Sequence, residues 1–153
     1  LLNPPVSEYY EATKAQAMGA LFAYPGGMQV GGGITPSNAA QFLDAGASHV
    51  IVTSYVFKDG RIHYDNLDRL KKAVGRERLV LDLSCRRREG SYYIVTDRWQ
   101  RFTQETVTLE LLDSLSDYAD EFLIHAVDVE GKASGIETEL AGLIGTWGKL
   151  PLT

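Results

Sequence analysis

Short, almost uninterrupted apolar runs alternate along this chain with segments of helical period, and few folds accommodate that pattern. His49 to Tyr55, Arg78 to Ser84 and Glu121 to Val127 are rich in Val, Ile and Leu and too short to be helices; Met28 to Val30 is a briefer run of the same kind. Helical periods fill the intervals: Ser7 to Leu21, Thr35 to about Gly46, Asn66 to Val74, Thr108 to Tyr118 and Glu137 to Gly145. Strands that alternate with helices pair in parallel through crossover connections. Strands apolar on both faces belong to a sheet covered on both sides. Parallel strands are therefore expected at 28–31, 49–54, 79–84 and 122–127, each with its helix outside, as in a (βα) barrel.

The punctuation agrees. Ser7 and Thr35 are suited to cap helices, Pro36 to follow at a first helical position, and Gly75 to close the third helix. Lys58-Asp59-Gly60 reads as a turn. Arg86-Arg87-Arg88-Glu89-Gly90 reads as a charged turn, with Ser91 to Thr96 the return arm of a hairpin. Pro4-Pro5 reads as an irregular lead-in, and Leu150 to Thr153 as the start of another strand. No linker or low-complexity stretch divides the 153 residues, so a single domain is expected.

Charge and cysteine use exclude several function classes. Twenty acidic and 15 basic side chains give a net charge of -5, without the basic stripe of a nucleic-acid binder. Cys85 is the only cysteine, so neither an intrachain disulfide nor a cysteine zinc cluster can form. That predicts a reducing compartment: the cytoplasm, or the plastid in a photosynthetic eukaryote. No apolar run approaches the ~20 residues of a membrane helix, and Leu1 to Tyr10 lacks the pattern of a signal peptide.

The residues able to do chemistry gather at strand ends. Gly31-Gly32-Gly33 follows a strand and precedes a helix, where backbone amides can cradle an anion; a tight ligand-free turn fits equally well. Thr53-Ser54 ends the neighbouring strand, so its hydroxyls either join that cradle or satisfy local backbone groups. Asp82 interrupts Leu79-Val80-Leu81-Asp82-Leu83, and Ser84 shares its strand face. A carboxylate there is either a general acid or base at a barrel mouth, or the partner of an arginine among 86–88, of which Arg86 is nearest the strand end. His125 is a core histidine or a catalyst on the same sheet end, followed by Asp128 and Glu130 at the mouth. Trp99, beyond the hairpin, packs its loop or stacks on a planar ring.

Taken together, Gln29-Val30-Gly31-Gly32-Gly33-Ile34, Val80-Leu81-Asp82-Leu83-Ser84-Cys85-Arg86, Thr96-Asp97-Arg98-Trp99-Gln100 and Glu121 to Gly131 resemble the (βα)-barrel isomerases of the fourth step of histidine biosynthesis, in their plant and fungal form. The resemblance runs from about Gly19 to the end of the chain. It implies a partial barrel holding strands three to six, without the first two and the last. It implies an Amadori rearrangement of a phosphorylated aminoaldose to an aminoketose by two aspartates, with no metal and no organic cofactor. Asp82 takes the fifth-strand acid, which in bacterial members stands at the position of Ser84. His125, the second catalytic candidate, takes the place of a bacterial threonine. Gly32, Gly33, Thr53 and Ser54 match one of two phosphate grips, and Trp99 an aromatic over the imidazole. Arg86, Glu130 and Gly131 complete the substrate-binding set. The resemblance also leaves two other expectations: an inactive phosphate-binding unit, or the synthase of the next step. Open sheet edges would favour pairing between copies.

Overall fold

The computed structural model describes residues 2, 6–133 and 135–153; the lead-in expected at Pro4-Pro5 lies outside them. In chain order the elements are α1 (Tyr10–Ala23), β1 (Gln29–Gly31), α2 (Ala39–Asp44), β2 (His49–Val52), β3 (Phe57–Lys58), β4 (Arg61–Ile62), α3 (Tyr64–Val74), β5 (Leu79–Arg88), β6 (Ser91–Thr96), β7 (Arg101–Thr106), α4 (Leu109–Ser116), β8 (Glu121–Ala126) and α5 (Thr138–Gly145).

The four expected strands form a parallel wall in the order β1-β2-β5-β8. Val30 stands opposite Val50, Ile51 opposite Val80, and Leu81 opposite Phe122. Leu79, Val80, Leu81 and Leu83 are all buried, so this part of β5 is covered on both faces, as its apolar run, interrupted only by Asp82, requires. The helices contribute Phe42 from α2, Leu67 and Leu70 from α3, and Leu112 and Leu115 from α4, the last two pairs three residues apart on one helical face. This is part of the wall of a (βα) barrel. Beyond β8, Leu152 adds a parallel bridge to Phe122, the beginning of the further strand expected there. No helix among the described residues is long and apolar enough to cross a membrane.

Three local expectations are corrected. Arg86, Arg87 and Arg88 are not in a turn: β5 carries them onward, opposite Tyr93, Tyr92 and Ser91. The turn is only Glu89-Gly90, both at positive φ (52° and 82°), as a two-residue hairpin demands. Arginines tolerate this strand because their guanidinium groups lie over aromatic rings, Arg88 at 4.6 Å from Tyr93 and 4.8 Å from Phe102. The hairpin also has a third strand, β7, antiparallel to β6. Its sequence, Arg-Phe-Thr-Gln-Glu-Thr, lacks an apolar run because the strand lies outside the barrel wall and buries only Thr103. Finally, Thr35 does not cap a helix with its side chain. Its hydroxyl meets Ser37 Oγ at 2.9 Å, and α2 begins only at Ala39, after Asn38. At the other helices Thr108 caps α4, accepting from the Leu111 amide at 3.2 Å, and Gly75 ends α3 at φ 82°.

Candidate active site

Because the four strands are parallel, their C-terminal ends open on one side, and the residues singled out above meet there. Gly32 and Gly33 adopt φ 109° and 71°, a region costly for side chains with a Cβ. A Cβ on Gly32 would lie 2.5 Å from the carbonyl oxygen of Leu2, whose own amide donates to Gly31 O at 2.7 Å. Asn38 braces the turn: its Nδ2 donates to Gly33 O at 2.9 Å and its Oδ1 accepts from the Thr35 amide at 2.8 Å.

A cavity of about 530 Å³ lies at this mouth, lined among others by Gly32, Gly33, Thr53, Ser54, Asp82 and Trp99. Asp82 is half-buried there. Its Oδ2 accepts from Thr53 Oγ1 at 3.2 Å, and its Oδ1 is 3.2 Å from Ser84 Oγ. Thr53 therefore serves the carboxylate, while Ser54 is exposed at the cavity wall. Burial pushes the Asp82 carboxyl above its ordinary value; hydrogen bonds from Thr53 and Ser84 and the nearby His125 oppose the shift, and Glu130 adds to it. Cys85, one residue after Ser84 and 1% exposed, is no nucleophile: burial first, then the carboxylates around it, pushes its thiol up to about 12.

Ser84 is the meeting point that the sequence did not single out beyond its shared face with Asp82. It is 3% exposed, and its Oγ also lies 3.2 Å from His125 Nδ1 and 3.3 Å from Trp99 Nε1. The Trp99 ring stands edge-on to the His125 imidazole, centroids 5.3 Å apart. Asp97, Arg98 and Trp99 have φ of 54°, 58° and 67°, a left-handed turn costing roughly 1–2 kcal/mol per residue. It is held by Thr96 Oγ1, which donates to Asp97 Oδ2 at 2.9 Å and accepts from the Gly60 amide at 3.0 Å. Asp97 and Arg98 line the cavity as well.

The remaining candidates lie beyond the Ser84–Trp99 contact. His125, Glu130 and Gly131 line a second, apolar hollow between β8 and α5, and His125 Nε2 hydrogen-bonds Glu130 Oε2. Arg86 is 2.8 Å from Asp128 through Nε and stacks near Phe102 at 5.8 Å. It does not line the mouth cavity. That pair and the Arg87 amide hold the Asp128 carboxyl below its ordinary value despite some burial.

The Asp82 environment gives a stability prediction. An acid whose folded value is raised favours folding while protonated, and that contribution is lost as pH rises through the raised value. Asp82→Asn should therefore gain in urea midpoint relative to the parent as pH goes from about 3 to about 7. A difference that shrinks over this interval would contradict the burial argument.

The chain matches the family model described as histidine biosynthesis protein over residues 16–153. It is 53% identical over 141 residues to the chloroplastic 1-(5-phosphoribosyl)-5-((5-phosphoribosylamino)methylideneamino)imidazole-4-carboxamide isomerase of Medicago truncatula, covering 92% of this chain and 45% of that protein. Isomerases of the same name from Yarrowia lipolytica (44% identity, 86% of this chain, 53% of theirs) and Neurospora crassa (41%, 92% and 56%) are also similar. The chain thus spans about half the length of these curated relatives. With a parallel wall, a glycine turn and a carboxylate at its mouth, and this match over nearly its whole length, the chain belongs to the histidine biosynthesis protein family.

Proposed function

We propose that this chain supplies one side of the mouth of an aldose–ketose isomerase, acting on a phosphoribosyl aminoaldose by an Amadori rearrangement. The observation that carries the reading is one cavity shared by Gly32, Gly33, Ser54, Asp82 and Trp99. Consecutive positive-φ glycines form the concave backbone that receives phosphate, and the exposed Ser54 hydroxyl adds a donor. Phosphate held there would set the ribose against Asp82, which can give a proton to the ring oxygen and, once ionised, take one from C2. Burial favours the protonated form needed first. Trp99 would lie over the planar imidazole of the substrate, with His125, Glu130 and Gly131 in the hollow beyond it, while Arg86, paired with Asp128, stands outside both. The Medicago relative is named as chloroplastic; a plastid setting, or the cytoplasm, is proposed for this chain.

Titration with ribose 5-phosphate tests the anion site. Amide NMR signals of Gly32, Gly33 and Ser54 are expected to move first and furthest. If the largest shifts fall on α3 or α5, the anion site is misplaced.

A further inference from the structure

We propose that Ser84 is a proton relay through which His125, anchored by Glu130, recharges Asp82 from inside the protein. The proposal rests on the isomerase reading, for which Asp82 must carry a proton before it can give one to the ring oxygen.

The argument is a count of hydrogens. A serine hydroxyl has one hydrogen to give and two lone pairs to accept with. Ser84 Oγ has three partners: Asp82 Oδ1 at 3.2 Å, His125 Nδ1 at 3.2 Å and Trp99 Nε1 at 3.3 Å. The indole N–H only donates, so Trp99 takes one lone pair. An ionised Asp82 only accepts, so it takes the hydroxyl hydrogen. One lone pair is left for His125, and Nδ1 must then carry the hydrogen between them. On the far side of the ring, one further hydrogen lies between Nε2 and Glu130 Oε2. The charged groups that face the imidazole are Asp82 from β5 and Glu130 from the loop after β8; Asp128, in the same loop, is paired with Arg86.

Every donor in this chain points toward Asp82, so a proton can run in that direction without solvent. The Nδ1–H bond breaks as a new Oγ–H bond forms; the old Oγ–H bond breaks as an Oδ1–H bond forms. Asp82 becomes a neutral acid, Nδ1 keeps its lone pair, and the ring hydrogen remains at Nε2. No co-reactant is consumed. The proton that Asp82 later takes from the substrate carbon returns by the same steps in reverse. Burial of Asp82 makes its neutral form, which the relay produces only in passing, less costly than it would be in water, while the resting chain keeps the hydrogen on Nδ1. Ser84 is almost wholly buried, and its hydroxyl is taken up by the three side chains around it. A purely structural serine would need only one of these three partners.

The test reads the histidine ring in chain uniformly labelled with 15N-histidine, with the His125 signals assigned by their loss in His125→Gln. At neutral pH the parent chain should show Nδ1 as a hydrogen-bearing nitrogen. Asp82→Asn should then shift the His125 ring signals clearly in the parent and in Ser84→Thr, which keeps a hydroxyl, and in Ser84→Ala only by the smaller amount that the lost charge causes through space. A bare Nδ1 in the parent chain overturns the relay, and so does an Asp82→Asn shift of equal size with and without the hydroxyl. The parent measurement needs no variant to fold. None of these readings needs substrate, so their failure is separate from failure of the isomerase reading, which the ribose 5-phosphate titration decides.

Discussion

Produced by themselves, these 153 residues are expected to turn over the aminoaldose about 10²–10⁴-fold more slowly than a full-length relative. The rearrangement needs a proton given at the ring oxygen and another removed at C2, on different parts of the substrate. In the family that the chain resembles, two aspartates on opposite sides of the mouth divide this work. Asp82 matches one of them, and the strand that carries its partner has no counterpart among the matched motifs. The chain spans 45% to 56% of the relatives compared, and the resemblance places the second phosphate grip in the part not spanned. Losing that grip removes the orientation that binding both ends of a substrate provides. Two copies joined at the sheet edges would bring together two Asp82 side chains, so the assay should be run over a range of protein concentrations. The readout is absorbance of the aminoaldose, or coupling to the next enzyme. Turnover equal to that of a relative, and abolished by Asp82→Asn, would overturn the expectation.

Phe122→Ala should cost roughly 3–5 kcal/mol of stability. Phe122 is fully buried in β8, stands opposite Leu81, and packs its ring on Trp147 with centroids 5.5 Å apart. Its backbone amide donates to Pro151 O at 3.0 Å and its carbonyl accepts from the Thr153 amide at 2.9 Å, so it also ties the last residues to the wall. Truncation leaves a cavity lined by groups fixed in strands, which collapse poorly. The loss compares with the about 5–15 kcal/mol that holds an ordinary domain together. Thermal unfolding followed by circular dichroism should show a midpoint lowered by roughly 6–20 °C. Phe22→Ala is the control: the side chain is 64% exposed on α1, and its removal should change stability by no more than about 0.5 kcal/mol. A loss below about 1 kcal/mol at Phe122 would mean that β8 is not part of the core.

The parallel wall was legible because it rests on a local signal. An apolar run such as Leu79 to Leu83 is buried on both faces whatever its neighbours are, so its length and composition announce a central strand. Asp82 stood out for the same reason, as a carboxylate within such a run. β7 was not legible, since a strand that pairs only with a hairpin outside the wall can be polar throughout. Arg86 to Arg88 read as a turn in the sequence because a run of charge looks the same in a turn and in a strand laid over aromatic rings.

Sequence by itself determined the order of strands and helices, the parallel pairing and the side of the sheet on which the glycine turn and Asp82 lie. These follow from period and composition over a few residues, which the chain carries locally. Only the tertiary structure decided which hydroxyl serves which group: that Thr53 is spent on Asp82, and that Ser84 joins Asp82, His125 and Trp99. Those partners come from the end of β2, from β5 and β8, and from a left-handed turn, with bonded pairs up to 41 positions apart along the chain. Hydrogen bonds act over about 3 Å and depend on direction, so they exist only once packing has fixed every strand in register.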